Sequence, residues 1–481
     1  MKRLKDYCKN CTIEQIGEVK CSISGLIKVS ENNCVSMETE QLSRELYQQM
    51  QHNDDKVICL KTIDYHVTII GYWVVDKHTR GGENVIFSAT CEAKKSFWGD
   101  RYCIVPNNGF EEFSLKVTDG VELIGLTPYG ELDIENILFR GQSPFHVDTR
   151  VKQIHEKTGF SCFVAPDIER LGTDIRLGIQ YRLYFSQGCK LSIDDIEEKI
   201  HSLVLLLEIL CGERIAVTEI EVSQDEMNYI YLGRPMMPKA SLNAFKQKYS
   251  DSYGYVRRKI FKLSDFDTNE ESATSKFEKM YVEDGVAFGA YQQLLMDDEL
   301  QIFTVNNFLK AMQMVEGIER LGDRKKAHKE FKKIKDSIVE KLSDEDDKKF
   351  ILEYCNDQGE GFRECLDRIT NNCFSVLSEN DNSCCSEIIS SIKKDRDVYT
   401  HASHKNKPLL SQSELRGVTY CFKSFFRIEV LMQLGLNEEL IRKRFSYDRL
   451  FVAYYENLFG QTIKLEDGGT GEYDDIMQSN P

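Results

Sequence analysis

Six consecutive residues, Arg396-Asp397-Val398-Tyr399-Thr400-His401, carry the side chains best suited to chemistry in this 481-residue chain. A guanidinium grips a phosphate in a planar fork. An imidazole titrates near neutrality and serves as general base or general acid. A carboxylate, Asp397, directly follows the arginine. This inventory suits cleavage of RNA without a metal. Spacing alone is a weak signal, because Arg150 precedes His155 and Arg140 precedes His146 at similar intervals. Those two pairs stand among turn residues, Gly141 to Pro144 and Thr158-Gly159, and neither arginine is followed by a carboxylate or amide. They read as polar loop residues.

The element that must position the motif is a helix. Cys385, Ile388, Ile389, Ile392 and Tyr399 recur at helical spacing and form one apolar stripe. On an ideal helix Arg396 falls inside that stripe, where a charge is costly unless it meets an anion or a partner chain. Asp397 and His401 are four apart and stack on one face, so the carboxylate is placed to orient the imidazole. Arg396 and His401 are about 140° apart around a straight helix. One helix therefore offers half a site, unless it ends near Ala402-Ser403 or a second copy completes it.

The surrounding sequence builds an all-helical bundle. His404 to Ser413 reads as a loop, with Ser413 as N-cap of the next helix. That helix carries Leu415, Val418, Phe422, Phe425, Phe426 and Val430 on one face and closes at Gly435, after which Asn437 starts another. Upstream, residues 308–342 form a long helical region and residues 362–376 a shorter one.

The first half reads as strands. Val57 to Val75 is a long β-branched and aromatic run, followed by Asn84 to Thr90, Phe113 to Val117, Val121 to Leu126, Phe160 to Val164 and Ile175 to Phe185. One strong helix spans residues 192–210, capped by Ser192, and strands return at Ile215 to Val222 and Tyr229 to Leu232. Tyr72, Trp73, Phe97 and Trp98 read as core. The polar, acidic stretch Ser264 to Ser275 marks the boundary, and Lys276 to Leu300 reads as a helical connector. The fold class is α+β: a β-rich N-terminal domain over 1–265, a helical bundle over 276–464, and an acidic tail over 465–481 with too little apolar content to pack.

The helix order, the late Arg-Asp-x-x-x-His, and the amphipathic helix ending Leu434-Gly-Leu-Asn437 resemble a HEPN domain, most closely that of the ApeA-type abortive-infection family. The first half is similar to that family's N-terminal domain, through Gly71-Tyr-Trp73 after a strand-like run and Leu191 to Ile196 opening a helix that runs to Gly212. The resemblance implies a bacterial, cytoplasmic endoribonuclease that restricts phage. It implies Arg396, His401 and Asp397 as catalytic residues, an N-terminal domain that senses a phage-derived trigger or restrains the nuclease, and a homodimer or higher even-numbered oligomer. RNA is the partner that the resemblance implies, with tRNA and mRNA both candidates. The alternative is a non-catalytic HEPN scaffold that binds nucleotide or RNA, or a regulatory partner of a separate effector.

Composition fits an ordinary globular protein, with 41% hydrophobic and 29% charged residues. No apolar run approaches a membrane span, and Met-Lys-Arg-Leu-Lys-Asp lacks a signal-type core. A net charge of −16 argues against indiscriminate nucleic-acid binding. Lys393, Lys394, Lys405, Lys407 and Arg416 nevertheless surround the motif and can draw RNA toward it, with Tyr399 a candidate substrate contact. Arg324, Lys325, Lys326, Lys329, Lys332, Lys333 and Lys335 crowd one helix, either as an RNA-facing stripe or as a solvated face. No cofactor and no metal are expected. Cys8 and Cys11 have zinc-type spacing, but no second close pair follows. Cys355, Cys365, Cys373, Cys384 and Cys385 read as structural thiols.

Overall fold

The computed structural model describes residues 4, 7–30, 34–50, 53–80, 86–103, 109–118, 120–124, 152–155, 160–171, 174–233, 261–266, 272–318, 324–354, 362–378, 386–401 and 407–463. Arg140, His146, Arg150, Lys405, Cys355, Cys384, Cys385 and the acidic tail fall outside them. The chain divides into two compact units, Met1–Val204 with Ile215–Asn243 and Leu205–Arg214 with Ala244–Pro481.

The strands of the first unit are β1 (Cys8–Ile16), β2 (Val19–Val29), β3 (Val35–Leu42), β4 (Asn53–Lys61), β5 (His66–Arg80), β6 (Ile86–Gly99), β7 (Phe110–Val117), β8 (Lys152–His155), β9 (Phe160–Leu171), β10 (Asp174–Leu191), β11 (Val217–Gln224) and β12 (Met227–Gly233). Their order is β3-β2-β1-β4-β5-β6-β12-β11-β7-β10-β9-β8, and an additional β3–β6 pairing closes the first six into a barrel. The long strand β6 makes both arrangements possible. Residues 87–92 of one edge pair with β3, while residues 95–98 of that edge pair with β12. Closure removes the exposed edges that six open strands would present.

Alternation along each strand fills the barrel. Cys11 and Ile13 of β1 point inward while Asn10, Thr12 and Glu14 point out; a bulge between Ile13 and Gln15 then shifts the pattern so that Ile16 is buried. Ile27, Ile58, Leu60, Val67, Ile69, Tyr72 and Trp98 complete this core. Phe97 is also buried, whereas Trp73 is only half-buried, with the Lys94 ammonium 4.8 Å from its ring centre. Cys8 is exposed and Cys11 buried, so three residues along a strand put the two thiols on opposite faces. Among the described residues no group of His, Cys, Asp and Glu is arranged to hold a metal ion.

Two strand expectations need correction. The run 57–75 is a hairpin, because the Thr62 hydroxyl accepts from the amides of Asp64 and Tyr65 at 3.2 and 2.9 Å and turns the chain between β4 and β5. Residues 121–124 are helical, within α2 (Gly120–Ile124). An apolar run this short carries no period that separates strand from helix. A first short helix, α1 (Arg44–Gln49), precedes it, and α3 (Ile193–Cys211) is the strong helix expected, with the Ser192 hydroxyl accepting from the Asp195 amide.

The second unit contains α4 (Ala273–Glu299), α5 (Val305–Ile318), α6 (Arg324–Lys341), α7 (Glu345–Tyr354), α8 (Phe362–Leu377), α9 (Ser386–His401), α10 (Gln412–Gln433), α11 (Glu438–Ser446) and α12 (Arg449–Phe459). The helical region 308–342 is thus two described helices, α5 and α6. The segment read as a connector, α4, belongs to the core: Phe277, Phe288, Tyr291, Leu294 and Leu295 are buried, and the rings of Phe288 and Tyr291 lie 5.4 and 5.3 Å from that of Phe426. All six apolar residues assigned to one face of α10 are buried. Its N-cap is Ser411 rather than Ser413, because Glu414 stands at the right offset to complete a reciprocal capping box. Cys365 and Cys373 are buried in α8, as expected of structural thiols. No described helix is long and apolar enough to cross a membrane.

Candidate functional site

The motif occupies the last two turns of α9. Ile389 and Ile392 anchor the buried face of this helix, and Asp395 continues it at 0% exposure. A buried carboxylate requires partners. Asp395 accepts from the backbone amides of Leu409 and Leu410 at 2.7 and 2.9 Å, tying the returning chain to the helix just before α10 begins. The carboxylate therefore fixes both sides of the segment that carries the motif.

Arg396 is half-buried, with 24% of its side chain exposed. Its charge is met within the chain. Nη2 pairs with Glu316 in the last turn of α5, and Nη1 lies 3.2 Å from Asp397 Oδ1. The guanidinium carbon sits 4.8 Å from the ring centre of Phe362, at the start of α8. The anion that this arginine was expected to need is Glu316 of the same chain, which no local spacing could reveal.

His401 is the last residue of α9 and is exposed; among the described residues its imidazole has no hydrogen-bond partner. Asp397, read as a support for the imidazole, makes its described contact with Arg396 instead. Tyr399 is half-buried, with its ring 6.3 Å from that of Phe308 in an edge-on contact. Burial, and secondarily the Asp395 carboxylate, raises its hydroxyl above the ordinary tyrosine value, so it stays neutral. Lys393 and Lys394 are exposed on α9, Lys407 is exposed in the following loop, and Arg416 is exposed on α10.

The structure thus brings Arg396 and Asp397 together and leaves His401 facing solvent one turn further on. Three residues of this site were not singled out from the sequence: Asp395, Glu316 and Phe362. Asp395 carries a readable signal, an acid next to Arg396 on the apolar side of the stripe. Glu316 and Phe362 come from other helices and carry none.

Along the lysine-rich helix α6, Lys332 and Lys333 are exposed, while the Lys335 ammonium donates to the Leu352 carbonyl at 3.1 Å. Part of that charge is therefore structural. In the first unit an open groove of about 920 Å³ is lined by residues from all six barrel strands, among them Asn10, Ser24, Glu38, Lys61, His78 and Thr90.

Residues 20–276 match the family model described as ApeA N-terminal domain 1, and residues 309–440 match the one described as Apea-like HEPN. No curated protein and no solved structure gives a significant match. The second match contains α9 and Glu316.

Proposed function

Because this chain belongs to the ApeA-type family, a defence-related group with a C-terminal HEPN domain, we propose that it is an anti-phage endoribonuclease whose site is built on Arg396 and His401. The observation that carries this reading is the placement of the two side chains. A clamped, half-buried guanidinium and an exposed imidazole occupy the end of one helix within the HEPN match. A preorganised cation at a partly dry edge suits a phosphate oxygen, and a solvent-facing imidazole suits proton traffic.

In the proposed reaction His401 takes the proton from a ribose 2′-hydroxyl, or gives one to the departing 5′-oxygen. The 2′-oxygen forms a bond to phosphorus as the bond to the 5′-oxygen breaks, leaving a 2′,3′-cyclic phosphate and a 5′-hydroxyl. Arg396 neutralises the charge that builds on the phosphorus centre. Lys393, Lys394, Lys405 and Lys407 attract the backbone, and Tyr399 supports the site through packing and presents a neutral hydroxyl. Arg396 and His401 diverge by about 140° around one helix. A two-fold pairing of HEPN units would set each arginine beside the other chain's histidine.

The N-terminal unit is assigned the sensing of a phage-derived trigger, and its polar groove is a candidate surface for it. The runner-up is a non-catalytic RNA-binding module. One observation favours it: Asp397 makes its described contact with Arg396 rather than with the imidazole. Sequencing of RNA ends from infected cells separates the two. The nuclease reading expects new 5′-hydroxyl ends with the intact chain and none with soluble His401→Ala; identical ends from both would end it.

A further inference from the structure

Glu316 has no role in the chemistry above, yet it occupies the group that the chemistry needs. Both terminal nitrogens of Arg396 face carboxylates, Nη2 facing Glu316 and Nη1 facing Asp397. Two anions around one cation leave the cluster with a surplus negative charge, which repels a phosphate. A phosphate that takes the guanidinium fork must displace at least one of them.

The two carboxylates differ in how they are held. Asp397 is the next residue on the same helix and travels with Arg396. Glu316 comes from α5, whose position is set by close packing: a Cβ added at the neighbouring Gly317 would stand 2.6 Å from the Ala287 Cβ of α4. Its side chain is 36% exposed, so the pair lies where a solvent-borne anion can reach it. The Phe362 ring and Asp397 hold the guanidinium from other directions. Arg396 therefore does not depend on Glu316 to stay in place.

We propose that Glu316 is a stand-in for the substrate phosphate: it occupies Arg396 in the RNA-free chain and is exchanged for the scissile phosphate on binding. This rests on the reading of Arg396 as the phosphate-binding residue. The exchange sets a threshold that RNA must exceed, so the carboxylate weakens binding of short or poorly placed RNA.

The test uses the full chain carrying His401→Ala, so that RNA is not consumed, with and without Glu316→Gln. Binding of a short fluorescent single-stranded RNA is read by anisotropy at several salt concentrations. Loss of the carboxylate should tighten binding about two- to fivefold, the range of a partly exposed ion pair. The gain should shrink at high salt, where the charges are screened. Glu316→Ala should act in the same direction, which separates removal of charge from any new amide contact. Equal or weaker binding, with folding unchanged by circular dichroism, would overturn the proposal and make Glu316 a positioning residue. So would the absence of RNA binding in every chain. The nuclease reading is judged separately, from cleavage of the same RNA by the intact chain and by His401→Ala.

Discussion

In the proposed reaction the chemistry falls to single side chains. Arg396→Ala and His401→Ala should each reduce cleavage by about a hundredfold or more, as loss of a transition-state donor or of a general base does. Both should leave the fold intact, since neither side chain fills the core; phage protection by a soluble His401→Ala chain would contradict the assignment. Asp395→Ala should behave differently. It removes a buried acceptor from the Leu409 and Leu410 amides, so urea unfolding should show a loss of about 1–3 kcal/mol. Asp395→Asn should fall between, because one carbonyl oxygen remains. At this scale Arg396 and His401 stand out in the sequence because their types and interval suit a reaction, and both lie in the last turns of α9. The partner of Arg396 was not, because Glu316 lies eighty positions away along the chain and only the packing of α5 beside α9 brings it near.

Among elements, helices were legible wherever an apolar face repeated over several turns. The spacing that marks α10 gave its buried face in full, and Asn437 marked the start of α11 correctly, accepting from the Glu439 and Leu440 amides. The cap of α10 was misplaced by two residues because three hydroxyl or amide candidates, Ser411, Gln412 and Ser413, stand in a row; the reciprocal bond from Ser411 to Glu414 decides among them. Ser411→Ala should cost about 0.5–2 kcal/mol. The hydroxyl and amide of Ser411 hold the Glu414 carboxyl below its usual value. A lowered value stabilises the fold above the ordinary glutamate range, and that contribution fades as pH falls through the lowered value. The gap in melting temperature between wild type and Ser411→Ala should therefore narrow in acid. Strands were read less well. The outward residues of β1 to β3 are polar enough to hide a barrel, and no sequence pattern announces that β3 closes onto β6.

For the whole molecule, the divergence of Arg396 and His401 is the decisive geometry. Glu316 answers the question of where the arginine's charge is balanced, but it does not bring the imidazole closer. A site composed from two chains remains the expectation, and isologous pairing is the commonest way identical chains associate. Mixing Arg396→Ala with His401→Ala chains should recover part of the activity that each lacks alone, because a mixed dimer regains one complete arginine–histidine pair. Sedimentation showing full activity in a monomer would exclude the composite site. Cleavage should also persist in excess EDTA, and RNA blocked at every 2′ position should resist, since the proposed nucleophile is the substrate's own hydroxyl.

The grip of Asp395 on the amides fourteen and fifteen positions later anchors the chain on both sides of the motif. His401 and Lys407 both lie between those two anchors, which are pinned to one carboxylate. Loop-closure entropy grows slowly, by only about 0.6 kcal/mol for each doubling of length. The number of residues between the two anchors can therefore change at small energetic expense while Arg396 keeps its partners. In the proposed nuclease, reach toward RNA and construction of the cationic centre become separable traits, so substrate preference can drift without the site being rebuilt.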